Sequence, residues 1–112
     1  MRSDRERLLD ILEAIERIEV QAARGRSLFA EEEVAQTAVI RWIEIIGEAA
    51  RGLTAELREA HPEVPWRRMV AMRNVLIHGY FDIDVDLVWS VAEGDLPKLE
   101  GQIRAIVESL GP

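Results

Sequence analysis

Four side chains of this sequence have types and spacing suited to chemistry on a ligand: Arg73, Asn74, His78 and Tyr80. On a helix, Asn74 and His78 would lie side by side because they are four residues apart, with Arg73 roughly 80° to 120° around from them. An arginine that neutralises phosphate charge and a histidine that moves protons are the groups that phosphodiester cleavage without a metal requires. These residues therefore form the candidate catalytic site.

The segment from Trp66 to Tyr80 has helical periodicity and places Arg73 in an apolar stripe. The other members of that stripe are Trp66, Met69, Val70, Leu76, Ile77 and Tyr80. A guanidinium stays charged and is costly to bury without a partner. The position therefore requires a carboxylate, a polar seam at a subunit interface, or a phosphate ligand, and the sequence leaves these three open.

Each candidate residue also has a structural explanation. Arg73 can be a salt-bridge arginine and His78 a polar residue at a helix end, while a lone tyrosine such as Tyr80 is often a core aromatic whose hydroxyl reaches solvent. Glu48 lies on the polar stripe of an earlier helix and could face Arg73, although an exposed, solvated glutamate is the more ordinary role there. Spacing alone does not separate these alternatives.

An acidic run after the candidate site imitates a calcium loop but does not match one. Asp82, Asp84 and Asp86 alternate, and Glu93 stands at the twelfth position, but Leu87 occupies the sixth position, where the loop requires glycine. Helix-capping acids explain the run better. The chain has no cysteine, which excludes thiolate ligands, so we predict no metal site and no cofactor.

Hydrophobic periodicity predicts an all-α bundle of four long helices and short pieces, without strands. The first predicted helix begins at a capping box formed by Ser3 and Glu6 and ends near Gly25, and the second runs from Glu31–Glu33 to Leu53. A short helix from Thr54 to Ala60 follows, and then a helix from Pro65 to Gly79. The last two predicted helices run from Asp84 to Gly94 and from Asp95 to Leu110. The second of the long helices is apolar on a broad arc, which places it at the centre of the bundle or between two subunits. Trp42, Trp66 and Trp89 fall on apolar stripes and are predicted core residues.

Length and composition indicate one folded domain over residues 1–112. Hydrophobic residues make up 48% of the 112 residues and the net charge is −7, which argues against broad nucleic-acid coating through a basic surface but allows a small basic site. The chain shows no long apolar run and no signal-peptide pattern, so we expect a soluble, cytoplasmic protein with no membrane partner.

The motif region resembles a known family. Arg73-Asn-Val-Leu-Ile-His78-Gly-Tyr80 has the form Arg-x4-His-x-Tyr and is similar to the signature of the HepT-like ribonuclease toxins of the HEPN superfamily. Further segments also resemble that family, and with them the resemblance covers nearly the whole chain. They are residues 38–50, residues 62–66, residues 81–89 and Asp95-Leu-Pro97.

This resemblance implies a HEPN-like, up-and-down bundle of four to five helices that forms a homodimer, with the motif arginine and histidine of both protomers facing one cleft. It implies catalytic roles for Arg73 and His78 and a cleft-supporting role for Asn74. Tyr80 would be the acceptor of AMP, transferred by a cognate MntA-type nucleotidyltransferase antitoxin that silences the toxin.

The implied activity is that of an endoribonuclease toxin that cleaves mRNA or tRNA without metal and leaves a 2′,3′-cyclic phosphate. The alternative is a HEPN subunit without catalytic activity, which binds a nucleotidyltransferase or a nucleotide as a scaffold. In that case Arg73 and His78 bind a phosphate or stabilise an interface, and they catalyse no reaction.

Overall fold

The computed structural model describes residues 2–78 and 82–111, with the backbone alone for His78, and this part of the chain is mostly helical. The elements are α1 Asp4–Ala22, α2 Arg26–Glu31, α3 Glu33–Gly52, α4 Ala55–Ala60, α5 Trp66–Leu76, β1 Ile77–His78, β2 Asp82–Ile83, α6 Val85–Ser90, a π-helical segment Val91–Asp95, and α7 Leu96–Leu110. The predicted all-α class is confirmed, with one two-residue strand pair as an addition.

Helix α1 begins at the predicted capping box. The Ser3 hydroxyl accepts the Glu6 backbone N–H at 3.1 Å, and the Glu6 carboxylate accepts the Ser3 N–H at 3.0 Å, so two otherwise unpaired donors of the first turn are satisfied. The buried face of the helix packs against α3 and α7. It is formed by Leu8, Ile11, Leu12, Ala14, Ile15 and Ile18. The helix ends at Ala22, and Gly25 turns the chain with a φ of 101°, close to the predicted end.

Helix α3 lies at the centre of the described fold. It packs against α1 on one side and α5 on another, and Val39, Ile43, Ile46 and Ala50 are each at most 1% exposed. The broad apolar arc of this helix is therefore buried within its own chain, as predicted for a central helix. Glu44, Glu48 and Arg51 lie at the edge of the contact with α5.

The sequence reading missed helix α2. Residues 26–31 form a short helix that is held against α3 by a buried amide, because the Gln36 side chain donates to the carbonyls of Phe29 at 2.8 Å and Ala30 at 3.2 Å. The Phe29 ring also packs on Trp89, with centroids 5.7 Å apart. The Trp89 contact comes from a distant part of the chain, and the Gln36 contact uses a buried side-chain amide, and hydrophobic periodicity reports neither.

The three tryptophans differ in how far they are buried. Trp66 is buried, and its indole N–H donates to the carbonyls of Arg58 at 3.2 Å and His61 at 2.9 Å. Trp42 and Trp89 are half-buried and pack against the outside of the core. The prediction of core tryptophans is therefore confirmed for Trp66 and correct only in part for the other two.

The predicted helix from Pro65 to Gly79 is wrong at its C-terminal end. Helix α5 stops at Leu76, and Ile77 already has extended backbone angles, φ −120° and ψ 128°. Ile77 is β-branched and favours this conformation, and the Leu76 carbonyl, left open at the helix end, accepts the Asp84 N–H at 2.9 Å. The chain therefore leaves the helix one turn earlier than its apolar pattern suggests.

Two short strands follow instead of the last predicted helical turn. β1 and β2 pair antiparallel, with Ile77 opposite Ile83 and His78 opposite Asp82. The prediction that the chain contains no strand is therefore wrong at this point. The strand pair fixes the chain on both sides of residues 79–81, which lie outside the described residues.

The C-terminal helices are joined without a break. The Asp84 carboxylate accepts the Leu87 N–H at 3.1 Å and caps α6, as predicted, but Gly94 does not end the helix. Residues 91–95 continue it as a π-helix into α7, so the predicted break between Gly94 and Asp95 is wrong. Helix α7 then packs Leu96, Leu99, Ile103 and Ile106 inward.

Candidate active site between helices α3 and α5

Helices α3 and α5 cross closely at Gly47. A Cβ atom added there would lie 3.1 Å from the carbonyl oxygen of Met69 and 3.4 Å from that of Val70, so a larger residue would press on the backbone of α5. Glu44, one turn before Gly47, is paired with Arg73, one turn after Val70. The two helices therefore run antiparallel, and glycine allows the contact that brings their polar edges together.

Arg73 lies at this edge and not in an apolar stripe. Its Nε is 2.9 Å from the Glu44 carboxylate oxygen, and the side chains of Arg73 and Glu44 are 47% and 28% exposed. Of the partners that the sequence left open, the structure shows a carboxylate. The buried face of α5 is instead formed by Trp66, Met69, Met72 and Leu76, so Met72 occupies the place that the predicted stripe gave to Arg73.

An open cavity of about 180 Å³ lies beside the Arg73–Glu44 pair. It is lined by Ile43, Glu44, Gly47, Glu48, Arg51, Val70, Arg73 and Asn74. Asn74 is exposed and borders the cavity next to Arg73. The structure therefore brings together two of the four predicted site residues, the arginine and the asparagine.

Glu48 is not the residue that pairs with Arg73. It lines the same cavity, but its carboxylate is 3.7 Å from Arg41 on its own helix, while Glu44 faces α5. The preferred prediction of an exposed, solvated Glu48 is therefore correct, since its side chain is 69% exposed. Glu44, four residues earlier on the same stripe, was not singled out from the sequence. Only the register between α3 and α5, which Gly47 sets, distinguishes them.

The other two predicted site residues are placed differently. His78 stands in strand β1, two residues beyond the end of α5, so it is not beside Asn74 on a helix and that expectation is wrong. The side chain of His78 lies outside the described part, as does the whole of Tyr80. Their predicted roles therefore stay predictions.

Arg51 was not singled out from the sequence as a site residue, yet it lines the cavity with Arg73. Arg51 and Glu44 are seven residues, about 10 Å, apart along α3, so Arg51 enters the lining about two turns from the Arg73–Glu44 pair. The lining holds two arginines and two glutamates, and their formal charges cancel. The arginines still offer several N–H donors each, in a planar fork that matches carboxylate and phosphate oxygens.

The acidic run and the loop histidine have structural partners. Asp86 is 3.2 Å from Arg26, and His61 Nδ1 is 3.5 Å from a Glu63 carboxylate oxygen. Within residues 2–78 and 82–111 there is no cluster of three His, Asp or Glu side chains that could hold a metal ion. In the same ranges, no helix has the length and apolar character needed to cross a membrane.

Comparison with known proteins identifies the family of this chain. The model of the family described as "Ribonuclease HepT-like" matches residues 11–106. The chain belongs to the HepT-like ribonuclease family. The matched residues run from the middle of α1 into α7 and include Arg73, Asn74, His78 and Tyr80, so the resemblance predicted from the motif is confirmed.

HepT-like relatives match this chain over most of its length. A Thermococcus cleftensis protein named "Probable ribonuclease HepT" is 42% identical over 94% of this chain and 96% of its own. A Methanocaldococcus jannaschii protein named as a putative RNase is 42% identical over 88% of this chain and 92% of its own. A Caldanaerobacter subterraneus protein, also named as a putative RNase, is 36% identical over 96% of this chain and 97% of its own. No solved structure matches the chain significantly.

Proposed function

We propose that this chain is a metal-independent endoribonuclease toxin of a toxin–antitoxin pair, working in the cytoplasm as a homodimer. The observation that carries the proposal is the placement of Arg73 and Asn74 at an open cavity, in a chain whose relatives carry ribonuclease names. An arginine at an accessible cleft can bind the phosphodiester of RNA bidentately. The net charge of −7 limits non-specific binding, so recognition depends on this confined site.

In the proposed reaction, the ribose 2′-oxygen attacks the adjacent phosphorus. His78 takes the 2′-hydroxyl proton or donates a proton to the leaving 5′-oxygen, while Arg73 stabilises the charge that builds on the non-bridging oxygens. The bond from phosphorus to the 2′-oxygen forms, and the bond to the 5′-oxygen breaks. The products are a 2′,3′-cyclic phosphate and a 5′-hydroxyl, and DNA is not cleaved because it lacks the 2′-hydroxyl.

The need for both a base and an acid gives a chemical reason for the homodimer. Each chain offers one motif histidine, whereas the reaction uses one base and one acid. Two protomers that face a common cleft supply two histidines, so the base and the acid can come from different chains. Asn74, next to Arg73 in sequence and at the cavity, would support the orientation of the bound RNA.

Regulation of the proposed ribonuclease acts through Tyr80. An MntA-type nucleotidyltransferase antitoxin would transfer AMP to the Tyr80 hydroxyl, two residues beyond His78. The adduct would bring a bulky anion into the cleft, which blocks RNA by volume and by charge and can pair with Arg73.

RNA cleavage by the purified protein in the presence of EDTA tests the activity. We expect wild-type protein to cut mRNA or tRNA, and Arg73→Ala and His78→Ala to reduce cleavage by at least about a hundredfold. Arg68→Ala is the matched control, since Arg68 is also on α5 and pairs with Asp95 at 2.9 Å, away from the cavity. Intact RNA with a folded, unmodified wild-type dimer would show that the proposal is wrong.

One observation favours the alternative of a HEPN scaffold that binds a nucleotidyltransferase or nucleotide. Arg73 is already paired with Glu44, and a charge-compensated arginine also suits a binding or interface role. Expression without a partner separates the two functions. Growth arrest that His78→Ala relieves supports the toxin, while harmless expression together with tight binding of a nucleotidyltransferase supports the scaffold.

A further inference from the structure

Glu44 contacts the candidate catalytic arginine from the neighbouring helix. Its carboxylate oxygen is 2.9 Å from Arg73 Nε, with 28% of the Glu44 side chain exposed. The residue stands in the middle of α3, between the buried Ile43 and the buried Ile46 and Gly47. The carboxylate is therefore attached to a rigid part of the core and not to a loop.

The helix packing brings Glu44 into reach of Arg73. Gly47 allows the α5 backbone to approach α3 so closely that an added Cβ would lie 3.1 Å from the Met69 carbonyl oxygen. Both partners sit one helical turn from this point, on the same side, beside the cavity. Their pairing therefore follows from the main packing contact of the two helices.

The point of contact on the guanidinium matters for binding. A guanidinium has five N–H donors in a planar fork. The Glu44 carboxylate contacts this group at Nε as an ion pair, 2.9 Å away, without the N–H···O geometry of a hydrogen bond. Bidentate binding of a phosphate requires two parallel N–H groups, and the ion pair leaves such donors for the ligand.

A fixed arginine binds more effectively than a mobile one. An arginine side chain loses rotamer entropy when it is ordered. With Glu44 holding Nε, part of that loss occurs on folding, before RNA arrives. Catalysis is sensitive to this, because a displacement of about 1 Å of a catalytic group can cost a hundredfold in rate.

We propose that Glu44 is a positioning residue, whose ion pair with Arg73 Nε holds the guanidinium at the cavity in the orientation that receives the scissile phosphodiester of RNA. This inference rests on the proposed ribonuclease function. It assigns Glu44 no contact with RNA and no proton transfer. It also accounts for a carboxylate at a site that binds an anion, because Glu44 pairs with Arg73 and not with the ligand.

The chain provides a matched control for the removal of this ion pair. Arg68 and Asp95 form a pair of the same length, 2.9 Å, and Arg68 belongs to the same helix as Arg73. That pair is more exposed, with side chains 66% and 43% accessible, and lies on the α7 side. Asp95→Asn therefore removes a carboxylate that pairs with an arginine of α5, as Glu44→Gln does, without touching the cavity.

The kinetic test compares Glu44→Gln, Glu44→Asp and Asp95→Asn in single-turnover RNA cleavage. We expect Glu44→Gln to lower the maximal rate about 10- to 100-fold with the RNA concentration at half-maximal rate changed less than about threefold. Glu44→Asp, which keeps the charge on a shorter stem, should recover part of the rate, and Asp95→Asn should cleave like wild type. The melting temperature should change by at most a few degrees, since ion pairs that remain accessible to solvent contribute little to stability.

Two kinetic results would overturn the inference. Wild-type or faster cleavage by Glu44→Gln, in a preparation where Arg73→Ala is inactive, would show that the carboxylate is idle or competes with phosphate, while the ribonuclease function stands. An equal loss in Asp95→Asn would show a general effect of removing a carboxylate that pairs with α5.

A second measurement does not depend on activity. In ¹⁵N NMR spectra, the Arg73 Nε–H signal, assigned by its loss in Arg73→Lys, should be displaced from the free-arginine position in the wild type and should move to that position in Glu44→Gln. A free-arginine signal in the wild type would refute the ion pair itself. If wild-type protein does not cleave RNA but this signal behaves as expected, the proposed function fails and the positioning contact remains.

Discussion

The close crossing of α3 and α5 can be tested by adding one methyl group. In Gly47→Ala the new Cβ would lie 3.1 Å from the Met69 carbonyl oxygen and 3.4 Å from that of Val70. Both atoms belong to helix backbone and cannot rotate away as a flexible side chain can. We therefore expect α3 and α5 to move apart by a few tenths of an ångström, which also loosens the Glu44–Arg73 pair.

The expected change in stability combines two opposing effects. Replacing a glycine inside a helix by alanine stabilises by about 0.5–1 kcal/mol, and overpacking a tight contact costs about 1–3 kcal/mol. The net change for Gly47→Ala is then a loss between about 0 and 2.5 kcal/mol. Gly101→Ala in α7 gives the first effect alone, because an added Cβ there meets no atom within 4 Å, so it should gain about 0.5–1 kcal/mol.

The assay is urea denaturation of both variants and the wild type, followed by circular dichroism. The free energies of unfolding should differ by about 1–3 kcal/mol between Gly101→Ala and Gly47→Ala, which corresponds to roughly 4–12 °C in melting temperature for a domain of this size. Gly47→Ala as stable as Gly101→Ala would refute the reasoning. It would mean that α3 and α5 are not in close contact at Gly47. The placement of Glu44 beside Arg73, which depends on that contact, would then also be wrong.

Two further predictions concern buried and half-buried polar groups. Burial and the nearby Glu100 carboxylate raise the pKa of Glu19, so its protonated form stabilises the fold below about pH 4 and this contribution is lost as the pH rises through the raised pKa. Glu19→Gln should therefore melt higher than wild type at pH 7, with a gain that disappears in acid; a constant gain at all pH values would contradict the assignment. Gln36→Met removes the donor to the Phe29 and Ala30 carbonyls and should cost about 1–3 kcal/mol in urea denaturation, and a neutral result would show that water replaces the amide.

The sequence predicts the long helices well because their signals are local. The Ser3 and Glu6 pair marks the start of α1, and Asp84 marks the start of α6, since capping uses residues three apart in the chain. The breaks at Gly25 and Pro65 also act within a few residues. These features need no knowledge of the rest of the fold.

The errors arise where contacts between distant segments decide the structure. Apolar periodicity continues through Ile77, but β1 pairs with β2 and ends α5 at Leu76. The same applies to α2, where Phe29 packs on Trp89, sixty residues further along the chain. A single sequence gives no information on such pairings.

The candidate site depends both on local sequence signals and on a contact between distant segments. The motif spacing identifies Arg73 and Asn74, and the structure places both at one cavity. The partner of Arg73 could not be chosen from the sequence, since Glu44 and Glu48 lie on the same stripe of α3 and differ by one turn. The choice depends on the register of two helices, and that register is set by one glycine contact.

The π-helical segment between α6 and α7 has a consequence for how this chain can change in length. A π-turn takes one residue more per hydrogen-bonded ring than an α-turn, so residues 91–95 set the rotation of everything that follows. Removing one residue from this segment would leave a continuous α-helix and keep Leu99, Ile103 and Ile106 facing the core. Adding one more residue would turn α7 by about 100° and carry these three side chains towards water, so the segment tolerates a change of length in one direction only.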